Sequence, residues 1–394
     1  MQRTALRQLY NELCLTSVLI GVTKTPLFLA FERYVQAETT EEKRKTYAAF
    51  VSCMYEWGGN ISACVQRLVF EDENVFVKAV AKGESVCDCI KNSVKRELAV
   101  FSQWASLTVG EFAEDMGIDA AKLPAFCTSK VDLEKAYKKR LKGIDKYGYG
   151  IFSSQGMFRL TDDKQIEPIV SADKTTMDKF IGYEEERGQV LENTRAFVQG
   201  RPSANVLLCG DAGTGKSSTV KAVANAFFEE GVRLIELRKD QLAYLPSVMA
   251  KISGNPLKFI IFIDDLSFNK SDDHFSMLKA ALEGSASAKA SNAVIYATSN
   301  RRHIIKESFG DREGDDVHRN DTLQETLSLS ERFGLVVLFS KPNKALYLEI
   351  VKSLAKKFGV VMDEKELEIK AEAFALRKGN RSARCAEQFI DSLL

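Results

Sequence analysis

The sequence predicts an α/β protein: a parallel sheet flanked by helices, with a helical region ahead of it and a smaller one behind it. From about residue 178, short and mostly apolar runs alternate with helical stretches, as strands do when both faces of a parallel sheet are covered. Residues 1–146 read as helical, with recognisable start and stop signals. From about residue 343 the chain shows three helical segments with no strand between them. A chain of 394 residues with 45% hydrophobic content suits two or three domains with buried cores. With 55 Lys+Arg against 54 Asp+Glu, no global basic field calls for nucleic acid and no acidic excess calls for disorder.

The elements follow in order. The first apolar stretch, Leu13 to Val22, is too short to span a bilayer and is followed by Lys24 and Pro26. Arg3 and Arg7 precede it as in a signal peptide, but Glu12 interrupts and no small-residue cleavage site is evident. A helix of a soluble, cytoplasmic protein with no membrane partner is expected. Thr39 and Glu42 have the spacing of a capping box, which starts a helix running to near Gly58. Further helices are expected at about 62–82, 85–106 and 130–146, with Gly83 and Gly143 as stops. Lys138-Lys139-Arg140 reads as a solvated helix face. The eight cysteines are scattered, and the close pair Cys87-Asp88-Cys89 lacks the second pair or the histidine of a zinc site. Reduced thiols packed as small apolar residues are expected.

Residues 1–146 thus form a helical accessory domain in which no catalytic constellation is visible. Gly156 to Leu160, a polar turn at Thr161 to Lys164, and Gln165 to Val170 read as a hairpin or extended linker within 147–177. An α/β core occupies 178–341 and a helical subdomain 342–394. Strands of the core are expected at 206–208, 233–237, 259–263, 293–297 and 335–339.

The chemistry begins after the first of these strands. Gly210-Asp211-Ala212-Gly213-Thr214-Gly215-Lys216-Ser217, with Ser218 next, has the form G-x-x-x-x-G-K-S between a strand and a helix. Its glycines let backbone N–H groups wrap a phosphate chain, and the helix N-terminus adds partial positive charge. Lys216 is placed to reach the β- and γ-phosphates and Ser217 to take a Mg²⁺ position. Phe259 to Ile263 then runs into Asp264 and Asp265. Two adjacent carboxylates at the end of an apolar strand are tolerable beside a divalent cation, so Asp264 is the expected second Mg²⁺ residue. Asp265 either orients or activates an attacking water or is a solvated, helix-capping acid. Its side chain is one methylene shorter than that of Glu.

Together with these motifs, three later stretches resemble AAA+ ATPases across 178–394. Val294 to Asn300 is similar to the sensor 1 strand, which implies that Asn300 touches the γ-phosphate or its water. Leu327 to Gly334 is similar to the segment carrying the arginine finger, with Arg332 implied to act from a neighbouring subunit. Gly379 to Ala386 is similar to sensor 2, which makes Arg384 the lid residue that reaches the nucleotide, with Arg381 as second choice. By the same resemblance Phe180, Ile181 and Gly182 line the adenine pocket. The stretches 205–208, 262–268, 296–303, 311–315 and 327–334 are more similar still to a bacterial group of AAA+ ATP-binding proteins whose role is largely undefined.

The resemblance implies ATP and Mg²⁺ as ligands, a helical lid, and a homo-oligomeric ring or filament. The leading expectation is an ATPase that remodels a protein partner held by the N-terminal helical domain. Two alternatives stay open: a nucleotide-gated binding module with negligible hydrolysis, and a nucleic-acid loader. Threading of polypeptides is discounted, because Arg238 to Pro246 offers only Tyr244 as an aromatic and no Gly follows it. The acidic stretch 307–325 reads as a flap, a contact for a basic partner, or a surface loop.

Overall fold

A computed structural model describes residues 5–171, 175–266, 278, 282, 291–300 and 332–394. The acidic stretch 307–325 lies outside the described residues, as do 267–268, 301–303, 311–315 and 327–331 of the stretches quoted above. The chain divides into two compact units, Met1–Ser154 with Gly254–Pro256, and Gln155–Ser253 with Leu257–Leu394.

The first unit is helical: α1 (Ala5–Leu13), α2 (Pro26–Gln36), α3 (Thr40–Tyr55), α4 (Ile61–Glu71), α5 (Val75–Ala81), α6 (Asp88–Ala105), α7 (Val109–Met116), α8 (Leu133–Lys142) and α9 (Ile144–Tyr147). The capping box at Thr39 and Glu42 forms and starts α3. The single helix expected over 62–82 is broken in two, because Asp72 leaves helical geometry and Asn74 caps α5. The core is aromatic, with Phe31, Tyr34, Tyr47, Phe50, Trp104 and Phe112 all fully buried. Tyr34 meets Phe112 edge-on at 5.0 Å, a favoured ring geometry.

One buried charge organises the unit. Glu97 of α6 is 2% exposed, and its carboxylate accepts from Ser17 N and Oγ (both 2.8 Å), Val18 N (3.1 Å) and Leu19 N (2.8 Å). Those N–H groups belong to the turn that follows α1, so a helix side chain supplies what the turn cannot. The cysteines depart from expectation. Cys87 and Cys89 are joined in a disulfide and are exposed, and Cys14 and Cys127 are exposed as well; Cys64, Cys209 and Cys385 are buried.

The second unit is an α/β layer structure. Its strands are β1 (Met157–Leu160), β2 (Ile166–Pro168), β3 (Val206–Gly210), β4 (Val232–Leu237), β5 (Lys258–Ile263), β6 (Ala293–Ser299) and β7 (Leu335–Phe339). Among the described residues they form one sheet in the order β2-β1-β4-β5-β6-β3-β7. Only the β1–β2 pair is antiparallel. The stretch read as a hairpin or linker is therefore a hairpin built into the sheet, with Met157 beside Leu234 and Phe158 beside Ile235.

Flanking helices are α10 (Glu184–Val198), α11 (Lys216–Ala226) and α12 (Leu245–Ile252); α13 (Lys344–Phe358), α14 (Glu364–Lys378) and α15 (Ala383–Asp391) form the C-terminal helical cluster around Tyr347, Val351, Ala371 and Ala386. β3 lies between β6 and β7 although the chain leaves it for β4, on the far side of β5 and β6. The C-terminal end of β3 is thus a topological switch point, where the crevice of an open α/β sheet takes its ligand. Tyr296 ties β6 to α10: its hydroxyl lies 2.7 Å from Thr194 Oγ1 and accepts from Asn193 Nδ2 at 3.0 Å.

Replacing Glu97 by Ala strands two buried N–H donors, those of Val18 and Leu19, at a cost of about 2 kcal/mol or more. Both tryptophans, Trp57 and Trp104, lie in the first unit. Their fluorescence is expected to report a lower unfolding midpoint for Glu97→Ala than for the unsubstituted protein. An unchanged midpoint would show that the turn after α1 does not depend on the carboxylate.

Candidate nucleotide-binding site

All five residues of β3 are buried, so the loop that follows is anchored at a rigid end. Gly210 has φ 144°, and a Cβ there would lie 2.0 Å from Phe339 O. Only glycine permits this approach of the loop to β7. Gly213 (φ 77°) and Gly215 (φ 88°) take left-handed conformations that turn the loop into α11. Thr214 is buried and its Oγ1 donates to Asp211 O at 2.9 Å, bracing the loop, while Ala212 is exposed at the tip. No side chain caps α11, which leaves its first N–H groups facing the hollow.

Lys216 is 5% exposed, and its Nζ donates to Gly210 O (3.1 Å) and Asp211 O (2.7 Å). Burial pushes its pKa below the ordinary lysine value, while Asp211, Cys209, Asp264 and Asp265 push the other way. The ammonium is held inside the loop on two neutral carbonyls, an arrangement that suits an incoming anion.

Across the loop, Ser217 Oγ donates to Asp264 Oδ1 at 2.6 Å. The same oxygen accepts from Thr298 Oγ1 at 2.5 Å and from Asp265 N at 3.2 Å. Asp265 N is shared with Thr298 Oγ1 (3.0 Å), and Leu266 N donates to Thr298 O (2.6 Å). Asp265 has φ 52°, unusual for a residue with a side chain. Its Oδ1 accepts from Asn300 Nδ2 at 2.7 Å. The two aspartates therefore point to different partners: Asp264 toward the loop, Asp265 toward the end of β6.

Beside the loop lies a cleft of about 170 Å³ lined by Phe180, Ile181, Arg187, Gly213, Ser218 and Arg384, among others. Arg384 N donates to Gly213 O at 3.4 Å, and a Cβ on Gly213 would lie 3.1 Å from Ser382 Oγ. The start of α15 thus rests directly on the glycine loop. Arg381 turns away and forms a two-pronged pair with Glu372 at 3.0 and 2.8 Å. Gly182 backs the cleft: a Cβ there would lie 2.4 Å from Leu346 of α13.

Of the residues singled out in the sequence, the structure brings together Gly210 to Ser218, Asp264, Asp265 and Asn300 on one side, and Phe180, Ile181 and Arg384 around the adjoining cleft. Arg332 stands apart. It precedes the start of β7, whereas Gly210 pairs with Phe339 at that strand's end, so at 3.3 Å per residue the two are separated by about 15 Å or more. It lines a different cavity of about 400 Å³ with Arg201, Lys258 and Asn205.

Two residues escaped the sequence reading. Thr298 sits among small polar residues at a strand end, and nothing in its identity announces a bond to Asp264. Arg187 follows three glutamates, Glu184 to Glu186, and so reads as a surface ion pair. Instead it is 6% exposed, with its guanidinium 4.3 Å over the Phe180 ring. Burial pushes its pKa down to about 10.

The parallel sheet with its switch point at β3, the glycine loop between β3 and α11, and the helical cluster resting on that loop define an α/β fold with a phosphate-loop-type turn at its switch point. A family model described as "Protein of unknown function (DUF815)" matches residues 154–394, and the chain belongs to that family. No curated protein matches it. Among solved structures it is similar to the Thermotoga maritima RuvB Holliday junction branch migration motor, with 15% identity over 55% of this chain and 72% of that one, at a TM-score of 0.33.

Thr298→Val keeps the shape of the side chain and removes both its donor and its acceptor. The variant is expected to fold, to lose about 1–2 kcal/mol of stability, and to melt below the unsubstituted protein by circular dichroism, with Thr298→Ser close to normal. Equal melting of all three proteins would mean that Thr298 does not hold the Asp264–Asp265 turn.

Proposed function

We propose that the protein is a Mg²⁺-dependent ATPase of the AAA+ kind that couples its nucleotide state to binding or remodelling of a macromolecular partner. The observation that carries this is the 2.6 Å contact between Ser217 Oγ and Asp264 Oδ1, at the lip of a glycine loop that holds a buried lysine. A hydroxyl and a carboxylate are hard oxygen donors of the kind Mg²⁺ takes beside phosphate oxygens and water. Among the described residues no group of three or more His, Cys, Asp or Glu could hold a metal alone, which fits an ion that arrives with a nucleotide. Bound there, Mg²⁺ would neutralise charge on the β- and γ-phosphoryl oxygens.

Each residue then has a task. The loop N–H groups and Lys216 hold the β- and γ-phosphates; Ser217 and Asp264 hold the ion, with Thr298 keeping Asp264 in place. Asp265 and Asn300 position a water, and Asp265 accepts its proton as the water oxygen bonds to the γ-phosphorus and the β,γ-bridging P–O bond breaks. ADP leaves with the bridging oxygen. Phe180 and Ile181 cover the base, and Arg384 carries the nucleotide state into α15. Arg332, at the opposite end of the sheet from its own loop, supplies its guanidinium to a neighbouring subunit, so activity requires a homo-oligomer. The N-terminal helical unit serves as the partner-holding module.

One observation favours a second reading, a nucleotide-gated binding module with little turnover. Asp265 carries the shorter side chain and spends one oxygen on Asn300, which limits its reach to a water. Hydrolysis of ATP per subunit, measured over a wide range of protein concentration, separates the two. The ATPase reading expects specific activity to climb with concentration and Asp265→Asn and Arg332→Ala each to lower it at least a hundredfold, with Lys216→Ala losing nucleotide binding. ATP binding with background turnover at every concentration selects the gated module. No binding of ATP sinks both.

A further inference from the structure

We propose that Arg187 is a second phosphate-binding cation of this site, taking the α-phosphate of the nucleotide; this rests on the nucleotide-binding reading above. Lys216 and the Ser217–Asp264 pair serve the far end of the phosphate chain. Where the chain would join the sugar and base, the cleft is lined by the cations Lys179, Arg384 and Arg187, and of these only Arg187 is buried.

Arg187 stands at that junction. It lines the same cleft as Phe180, Ile181 and Ser218, between the residues that cover the base and the start of α11. Its Nη2 is the nearest atom to the Cβ position of Gly215, at 3.7 Å. Its Nη1 donates to Gly182 O, and its buried Nε has no hydrogen-bond partner among the described residues. Among the described residues it forms no ion pair. Glu184, the first acid of α10, turns its carboxylate to Gly182 N at 2.9 Å instead.

A guanidinium carries five donors and is always charged. Burying it on a single carbonyl and two ring faces, with one nitrogen unpaired and the carboxylates of Glu184 and Glu186 acting on it only beyond ion-pair distance, is unfavourable. Structural arginines of this depth usually have a carboxylate. The missing partner is an anion, and the cleft in which it would sit opens onto the glycine loop. A phosphate oxygen there would satisfy the free donors by charge-assisted bonds.

The test is ADP and adenosine binding to the full-length protein by titration calorimetry, with nucleotide-free melting beside it. Arg187→Gln and Arg187→Ala are expected to weaken ADP about tenfold or more, to leave adenosine within about twofold, and to melt no lower than the unsubstituted protein without nucleotide. Gln preserves a donor for Gly182 O, so it decides the matter if Ala does not fold. ADP affinity within twofold, with a lowered nucleotide-free melting point, would make Arg187 a clamp on the Phe180–Gly182 turn and overturn the inference. Equal losses for ADP and adenosine would overturn it too, by placing the guanidinium on the base. If the unsubstituted protein takes up no ADP, the nucleotide reading itself falls, and the Arg187 assignment with it.

Discussion

The α/β unit is organised around one carboxylate oxygen. Asp264 Oδ1 accepts hydrogen bonds from Ser217 Oγ, Thr298 Oγ1 and Asp265 N. It is half-buried at the end of β5, whose last five residues are buried, where a charge without partners would be costly. Its three donors come from α11, from β6 and from its own turn. The oxygen therefore sets the spacing between the glycine loop and the ends of two strands. That sheet order brings these ends together: β6 separates β5 from β3, so a residue of β6 is available to bridge Asp264 to the loop's neighbour.

The remaining constraint is how closely other parts of the unit approach the backbone of the glycines. At Gly210 the loop leaves β3 against Phe339 O, at Gly213 it lies under the start of α15, and at Gly182 the chain lies under Leu346 of α13. At two of the three the contact reaches the C-terminal helical cluster. Whatever enters the cleft beside the loop must share it with that cluster, since Ile350, Leu354 and Arg384 form part of its wall. A ligand bound there contacts both parts of the unit at once, which is the physical requirement for a bound state to bias the cluster's position.

The sheet and the glycine loop were legible because they depend on local signals. Apolar runs of strand length, separated by helical stretches, announce buried parallel strands, and G-x-x-x-x-G-K-S announces a phosphate cradle. The hairpin at 157–168 was legible only as a hairpin or an extended linker. Its place in the sheet was not, because pairing of Met157 with Leu234 is a long-range match that no local pattern specifies. The break between α4 and α5 was lost for a similar reason. Asp72 and Asn74 are buried, with Asn74 Nδ2 donating to Asp72 Oδ2 at 2.9 Å, and a sequence does not reveal that two polar residues will find each other inside a core. Thr298 follows the same rule: its partner Asp264 lies across the sheet, not beside it in the chain.

The second aspartate is the place where these constraints meet. A residue with a side chain at φ 52° carries a backbone cost of about 1 kcal/mol or more, and glycine at that position would avoid it. The strain is offset by three fixed partners: the Asp265 N–H is shared between Asp264 Oδ1 and Thr298 Oγ1, and the carboxylate is held by Asn300. The two carboxylates have different partners, Ser217 and Thr298 for Asp264 and Asn300 for Asp265. The left-handed turn separates them, sending Asp264 to the loop serine and Asp265 to the end of β6. That separation leaves Asp264 half-buried beside the glycine loop and Asp265 exposed to solvent, as the proposed ion and water roles require.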